Sequence, residues 1–439
     1  LTASDGVPGA SFGLSVSISG DTMAIGAPTD DSGFVYVFRR EGADWVEEAK
    51  LTASDATLNA LFGWSVAVGG DTIVVGAWIA GAASGSAYVF QREGAEWFEQ
   101  AKLTASDAAD GDRFGNSVAI SGDVIVVGAW LDDGVAVDSG SAYVFRRDGA
   151  LWVEDATLTA DDTAAYVYFG TSVSISGDTI VVGARADDVT AFNSGSAYVF
   201  ERDGIDWIQG AKLTPTSTAR NGYFGQSVSI SADTLVVGAH GDDDAGFASG
   251  SAYVFRRDGT SWVEETKLTA SDASEGDFFG NSVSISGDSI VVGARWEDDA
   301  GVDSGSAYVF QREGDDPWVQ VAKLTASEAV DGDDFGWSVS IGGDTLAVGG
   351  PRYLARDGSD SAYVFPLFPF GDATRDGVVD FLDILCVLDG FAGQFERCSM
   401  QSIDIGGCGA DDTIDLVDIL AVLDAFQAAR SIVPIGIVH

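Results

Sequence analysis

The heptapeptide SGSAYVF opens at Ser84 and returns at Ser139, Ser194, Ser249 and Ser304, with near-copies at Ser32 (SGFVYVF) and Ser359 (SDSAYVF). A second marker, Phe-Gly, falls at Phe12, Phe62, Phe114, Phe169, Phe224, Phe279 and Phe335, at intervals of 50, 52, 55, 55, 55 and 56 residues. A unit repeated at such a period cannot bury its apolar face alone, so it must stack on copies of itself. Each unit reads FG-x-SVSISGD, then TIVVGA, a variable Asp-rich loop, SGSAYVFRR, a DG or EG turn, and WVEEAKLTAS.

Four strands fit each unit. SVSIS alternates apolar and small polar residues at period two, the pattern of a strand with one buried face. TIVVGA is apolar throughout, as expected of a strand covered on both faces. SAYVF mixes aromatic and β-branched residues. The segment with Glu47, Glu48 and Lys50 predicts an outer edge blunted by charge. Ser-Gly-Asp joins the first two strands and Arg-Asp-Gly or Arg-Glu-Gly the last two, both suited to hairpins. Four-stranded antiparallel units of about 40–50 residues repeated radially make a β-propeller. The Trp that opens the fourth strand occurs only six times (Trp45, Trp97, Trp152, Trp207, Trp262, Trp318), and the last unit stops at Phe365. Leu1–Asp5 supplies the missing LTASD end. The sequence therefore predicts an all-β, seven-bladed propeller over 1–366. Its first residues should close the ring on Ser361–Phe365 and leave part of that outer edge unpaired.

These units resemble FG-GAP repeats, the blades of integrin α-subunit propellers and related bacterial surface proteins. The match is best at Phe12-Gly13 with Gly26-Ala27-Pro28; the proline is replaced by Trp at Gly76 and Gly128, Arg at Gly183 and Gly293, and His at Gly238. The resemblance implies a binding role and, in some blades, a DxDxDG calcium loop. Here the loops read LDDGVAVDSG (from Leu131), HGDDDAGFASG (from His240) and WEDDAGVDSG (from Trp296). They are acidic without that spacing, which leaves calcium in the propeller open.

The charge balance narrows the partners. Lys and Arg number 23 against 68 Asp and Glu, a formal net charge of −45 over 439 residues. Nucleic acid and anionic membranes would be repelled, whereas cations, Ca²⁺ above all, and a saline or extracellular setting are favoured. No run of about 18 apolar residues is present, so no membrane span is expected. The chain starts mid-pattern at Leu1 without Met or signal sequence, which reads as a processed or truncated secreted product. His240 and His439 are the only histidines, too few for a multi-His metal centre.

After Pro366-Leu367-Phe368-Pro369 the pattern turns helical. GDATRDGVVDFLDILCVLDGF (from Gly371) and IGGCGADDTIDLVDILAVLDAF (from Ile405) are two copies of an acidic loop running into an apolar-striped helix. The first loop fits EF-hand spacing, with Asp372, Thr374, Asp376, Asp380 and Asp383 as side-chain ligands, the Val378 carbonyl, and Gly377 at the turn. The duplication is similar to a type I dockerin, an α-helical module that docks proteins onto cohesins through Ca²⁺. In the second loop Asp411, Asp415 and Asp418 align, but Gly407 takes the first position, where Asp404 could serve across an insertion. Cys398 and Cys408 flank the connector as a possible disulfide, although three cysteines with Cys386 leave the pairing open. The dockerin-like module is placed at 367–428 and an apolar tail at 429–439.

Whatever every blade shares is framework, so function is sought where the repeats disagree. The residue after GA or GG runs Pro28, Trp78, Trp130, Arg185, His240, Arg295 and Pro351; the residue after FG runs Leu14, Trp64, Asn116, Thr171, Gln226, Asn281 and Trp337. Trp64, Trp78, Trp130, Arg185, His240, Arg295 and Trp337 would make a sugar-stacking or anion-accepting rim; alternatively, they cover loops and pair with neighbouring Asp runs. The Asp clusters Asp132-Asp133, Asp187-Asp188, Asp242–Asp244 and Asp298-Asp299 recur in four blades, as a solvated or cation-binding loop would, whereas an active site needs one pair. The expectation is a secreted, non-catalytic adhesion or scaffold protein. Its propeller face would engage a protein or glycan, and its C-terminal module would dock on a cohesin-like partner or identical subunits. A self-assembling filament or surface-layer subunit, and a polysaccharide-active enzyme on a propeller, are the alternatives.

Overall fold

The computed structural model describes residues 1–367, apart from 7–8, 43, 82, 217–219, 315 and 353–359. The expected calcium loops, cysteines and apolar tail of the C-terminal stretch lie outside the described residues. By compactness the chain separates into Leu1–Gly287 with Val291–Ala307 and Thr325–Phe365, and a second unit that includes Asp288–Ile290 and Tyr308–Leu324.

Seven antiparallel sheets follow one another along the chain, and among the described residues there is no helix. Numbered by their Phe-Gly, the blades run in plain sequence order; blade four is Phe169–Ser176, Thr179–Ala184, Ser196–Asp203 and Asp206–Leu213. Six sheets have four strands, and the last has three, Ser338–Gly342, Thr345–Gly350 and Ser361–Pro366. Its fourth place is taken at one point by the chain's first residue. Leu1 donates its amino group to the Ala362 carbonyl (2.6 Å) and accepts from the Ala362 amide (3.1 Å). Asp5 then meets Tyr36 (2.7 Å) and Lys50 (2.8 Å) of blade one, as Asp55 meets Tyr88 (2.7 Å) and Lys102 (2.6 Å) of blade two. The first segment is thus seated like its internal counterpart.

Burial follows the strand patterns. Thr179–Ala184 is buried at all six positions, while Ser227–Ser231 alternates half-buried and buried residues. In blades one to five the outer hairpin carries a bulge at one place, between Val and Phe of the YVF triplet. An extra residue there steepens the twist of each blade.

The joint between blades explains the invariant residues. Phe62, Phe114, Phe169 and Phe224 lie buried between sheets, each edge-on or tilted against Tyr and Phe of its own blade's YVF at about 5.4–6.0 Å. Beside them a hydroxyl crosses each junction. Ser15 donates to the Gly63 carbonyl (2.8 Å), and so on round the ring through Ser65, Ser117, Ser172, Ser227 and Ser282 to Ser338, which donates to Gly13 (2.8 Å). Each accepting carbonyl presses on a GA glycine. A Cβ on Gly183 would stand 2.0 Å from the Gly225 oxygen and 2.3 Å from Ser172 Oγ. Gly225 itself has φ of +90°, which favours glycine.

These contacts separate two substitutions by size. Ser172→Ala should cost about 1 kcal/mol, one net hydrogen bond. Gly183→Ala forces backbone apart and should cost about 3 kcal/mol or more. Chemical denaturation of both variants checks this; equal, small losses would refute the close junction.

Candidate functional site

The rim residues are placed by the ends of the second strands. Each of those strands finishes at GA, and the next residue turns onto one face. Trp78, Trp130, Arg185, His240 and Arg295 all stand there half-buried. They do not pair with the Asp runs beside them. Among the described residues neither Arg185 nor Arg295 makes a salt bridge; Arg185 Nη1 donates to Gln226 Oε1 at 3.2 Å.

What they meet is one another and a set of residues that the sequence comparison passed over, those just before Phe-Gly. Arg113 lies over Trp78 (4.6 Å), and Trp64 packs on Trp78 (5.1 Å). Trp130 packs edge-on to Tyr168 (5.0 Å), and Arg185 lies over both, at 5.1 and 5.8 Å. His240 stacks between Tyr223 (5.2 Å) and Phe278 (5.1 Å). Arg295 lies over Phe278, Trp296 and Trp337 at 5.6, 4.7 and 4.4 Å. The result is a belt of alternating rings and cations spread over blades two to seven.

The residues before Phe-Gly share a left-handed backbone: φ is +65° at Arg113, +57° at Tyr168, +53° at Tyr223 and +56° at Phe278. That conformation turns their side chains onto the face at a cost of about 1–2 kcal/mol each. Their identity varies round the ring as much as that of the residues after GA, and this was the sequence signal available. Two places earlier the backbone is left-handed again. Six repeats put Gly or Asn there (Gly9, Asn59, Gly111, Asn221, Gly276, Gly332); blade four puts Tyr166, at φ of +65°.

The residues after Phe-Gly, Leu14, Trp64, Asn116, Thr171, Gln226, Asn281 and Trp337, converge on a single opening of about 220 Å³ shared by all seven blades. Trp64 and Trp337 reach from it to the belt through Trp78 and Arg295. A larger cavity of about 940 Å³ lies beside Arg185, Tyr168, Tyr223 and His240.

The Asp clusters are part solvated, part buried: Asp133, Asp188, Asp243, Asp244, Asp298 and Asp299 are exposed, whereas Asp132, Asp187 and Asp242 are buried. The buried carboxyls, and Glu297 just ahead of Asp298-Asp299, are covered because the following strand brings a hydroxyl to each. Ser141 donates to Asp132, Tyr198 to Asp187 (2.9 Å), Tyr253 to Asp242 (2.5 Å) and Ser306 to Glu297 (2.6 Å). The second carboxyl holds the loop, accepting the backbone amide five residues on: Asp133 from Asp138, Asp188 from Asn193, Asp243 from Ala248 and Asp298 from Asp303. Lys212 bridges Asp162 (2.5 Å) and Asp187 (2.7 Å) in blade four. Acid recurs in these blades as loop architecture.

One acidic group has the chemistry of a metal site. Asp272, Glu297 and Asp299 bring a carboxylate oxygen each within 4.8 Å of one another. Three hard oxygens suit Ca²⁺, and these three residues would hold it. Nearby, burial first and then Glu297 and Asp272 push the Asp277 carboxyl up to about 6.

The fold is a propeller whose shared residues hold the ring while its variable ones line one surface. All seven units match the FG-GAP repeat, over residues 1–38, 45–90, 97–145, 152–200, 207–255, 262–310 and 318–365, and the chain belongs to the FG-GAP repeat family. Such propellers are typically protein-binding, adhesion-type folds, and their repeats often bind Ca²⁺. No match is found among curated proteins. The solved structure of Saccharomyces cerevisiae Sqt1 is similar, at 11% identity and a TM-score of 0.45, over 81% of this chain and 86% of that one.

His240 reports on the belt through pH. Burial, with Arg295 and Arg185 adding repulsion, lowers its pKa to about 3, so the folded protein keeps the ring neutral. A depressed folded value means full stability above the unfolded pKa of about 6.5 and progressive loss below it. Between pH 7 and pH 5 the wild type should lose about 1–2 kcal/mol more than His240→Gln. Denaturation at both pH values measures it; parallel losses would show that the ring is not held neutral.

Proposed function

We propose that this is a secreted, non-catalytic adhesion or scaffold protein whose propeller face holds an extracellular protein or glycan. Residues 367–428 add a Ca²⁺-dependent dockerin-like module that docks the propeller on a cohesin-like partner. The observation that carries the first part is the pair of desolvated guanidiniums in a chain of 68 Asp and Glu: Arg185 has no carboxylate partner, and Arg295 has only the field of Asp334, without a salt bridge. Burying a charge without a close counter-ion costs free energy, and stability alone would have set an acid directly against each of these cations. Set in a belt of half-exposed rings, they form a surface organised for a ligand that brings its own acceptors and flat apolar faces. The Asp pairs, the natural candidates for hydrolysis, are engaged in holding loops.

The same reading requires calcium in the C-terminal module. The first C-terminal loop offers Asp372, Asp376, Asp380 and Asp383, which repel one another without a cation, so binding energy becomes folding energy.

Two experiments test this. On an array of extracellular glycans and proteins, the full chain should retain a ligand and release it chemically unchanged. Trp78→Ala and Trp130→Ala should weaken retention about tenfold, or about 1.4 kcal/mol, with melting temperatures near wild type. Cleavage of the ligand, or retention indifferent to both variants, would overturn the reading. In calorimetry, chelator should lower or abolish a C-terminal transition in the wild type, and Asp383→Ala should no longer respond to Ca²⁺. An identical thermogram in all conditions would remove the first-loop assignment.

A further inference from the structure

The cavity of about 940 Å³ on blade four falls within the usual size of small-ligand sites, about 300–1,000 Å³. Its walls come from the turn that ends in Tyr166 and Tyr168 and from the loop that carries Asp188, Phe192 and Asn193, with Arg185 between them. We propose that this cleft binds a neutral oligosaccharide. The inference rests on the reading above, that the propeller face is a ligand-binding one, and names the ligand class for one part of it.

Three observations point the same way. Tyr166 is 55% exposed and Phe192 54% exposed, so two large flat rings stand open at the mouth of a concave site. Ring faces of this kind cover the C–H face of a pyranose, and exposed apolar surface beside a cavity marks an interaction site. Phe192 is also fixed, with its carbonyl accepting the Asn221 amide (2.8 Å) and the Arg220 guanidinium over its ring (5.4 Å).

The second observation is the backbone of Tyr166. At φ of +65° it occupies a position where the six other repeats use Gly or Asn, the residues that tolerate it. A bulky aromatic held in this conformation at the edge of a cavity is stored strain, and strain of this kind collects at ligand sites.

Charge selects the class of saccharide. Lys212 is held between Asp162 and Asp187, which neutralises those two acids, and one Asp188 oxygen accepts the Asn193 amide, leaving its other oxygen. The remaining polar groups, the Tyr166 hydroxyl, the Asp188 carboxylate and the further Arg185 N–H groups, supply both donors and acceptors, as sugar hydroxyls require. A net charge of −45 opposes polyanionic glycans.

Isothermal titration of the full chain decides it, with cellotetraose, mannotriose, xylotetraose and chitotriose as neutral probes and a trigalacturonate as the charged one. At least one neutral probe should bind, and Tyr166→Gly and Phe192→Ala should each weaken it at least tenfold. Tyr166→Gly should meanwhile keep or raise the melting temperature, because it restores the residue that Gly111, Gly276 and Gly332 provide in other blades. Binding of trigalacturonate alone, no neutral binding at millimolar probe, or undiminished affinity in both variants would overturn the proposal. If the neutral probes fail while array ligands are still retained in a Trp130-dependent way, only this cleft assignment falls. If probes bind here but no ligand depends on Trp78 or Trp130, the broader belt reading falls instead.

Discussion

Everything in this propeller depends on one contact repeated round the ring, a serine hydroxyl from one blade donated to a glycine carbonyl of the next. The carbonyl lies so close to the GA glycine of the donating blade that no side chain fits between them. The contact explains why Phe-Gly and Gly-Ala recur together. The phenylalanine fills the sheet interface, its glycine turns the carbonyl across the junction, and the second glycine leaves room for it. It also explains how the ring closes. Ser338 makes to Gly13 the bond that Ser15 makes to Gly63, so the junction joining the two ends is built like the others. A single hydrogen bond of this kind is worth about 1 kcal/mol, but it fixes the spacing at which the buried aromatic side chains pack.

The acidity of the chain is handled by the same economy of position. Carboxyls recur at set places in the repeat, where the tyrosine hydroxyl, a serine hydroxyl, a lysine or a loop amide awaits them. Lys50, Lys102, Lys212 and Lys267 each meet such a carboxylate. All five lysines of the sequence stand at this one place in the repeat, and blade three has Thr157 there instead. The arginines of the belt follow a different rule, set over rings rather than beside acids, and their pKa values are lowered chiefly by burial.

The sequence shows the framework almost completely, because a strand written seven times states its own burial pattern and the count states the closure. Leu1 meeting Ala362 could be read from a fourth strand that lacks its beginning. The face was half legible. Positions after GA and after FG stood out by disagreeing between repeats, and the structure does bring them onto the belt and the central opening. The position before Phe-Gly escaped because it adjoins an invariant pair and belongs to no strand, so periodicity says nothing of it. Its left-handed backbone, which aims Arg113, Tyr168, Tyr223 and Phe278 at the belt, appears only in three dimensions. The Asp runs were legible only in their exposed members, Asp133, Asp188, Asp243 and Asp298 among them, for a related reason. Composition marks them as water-seeking, but the hydroxyl that buries Asp132 or Asp187 sits on a strand nine or eleven residues away.

The junction has an evolutionary consequence. Its parts are backbone carbonyls, glycines and a serine hydroxyl, none of which changes when the neighbouring face residues change. A blade can therefore be exchanged by recombination with any other that keeps FG, the serine and GA, carrying its own pair of face side chains as a cassette. Tyr166 illustrates the latitude this leaves: one repeat carries an aromatic where the others have glycine or asparagine, and its Ser172 still donates to Gly225.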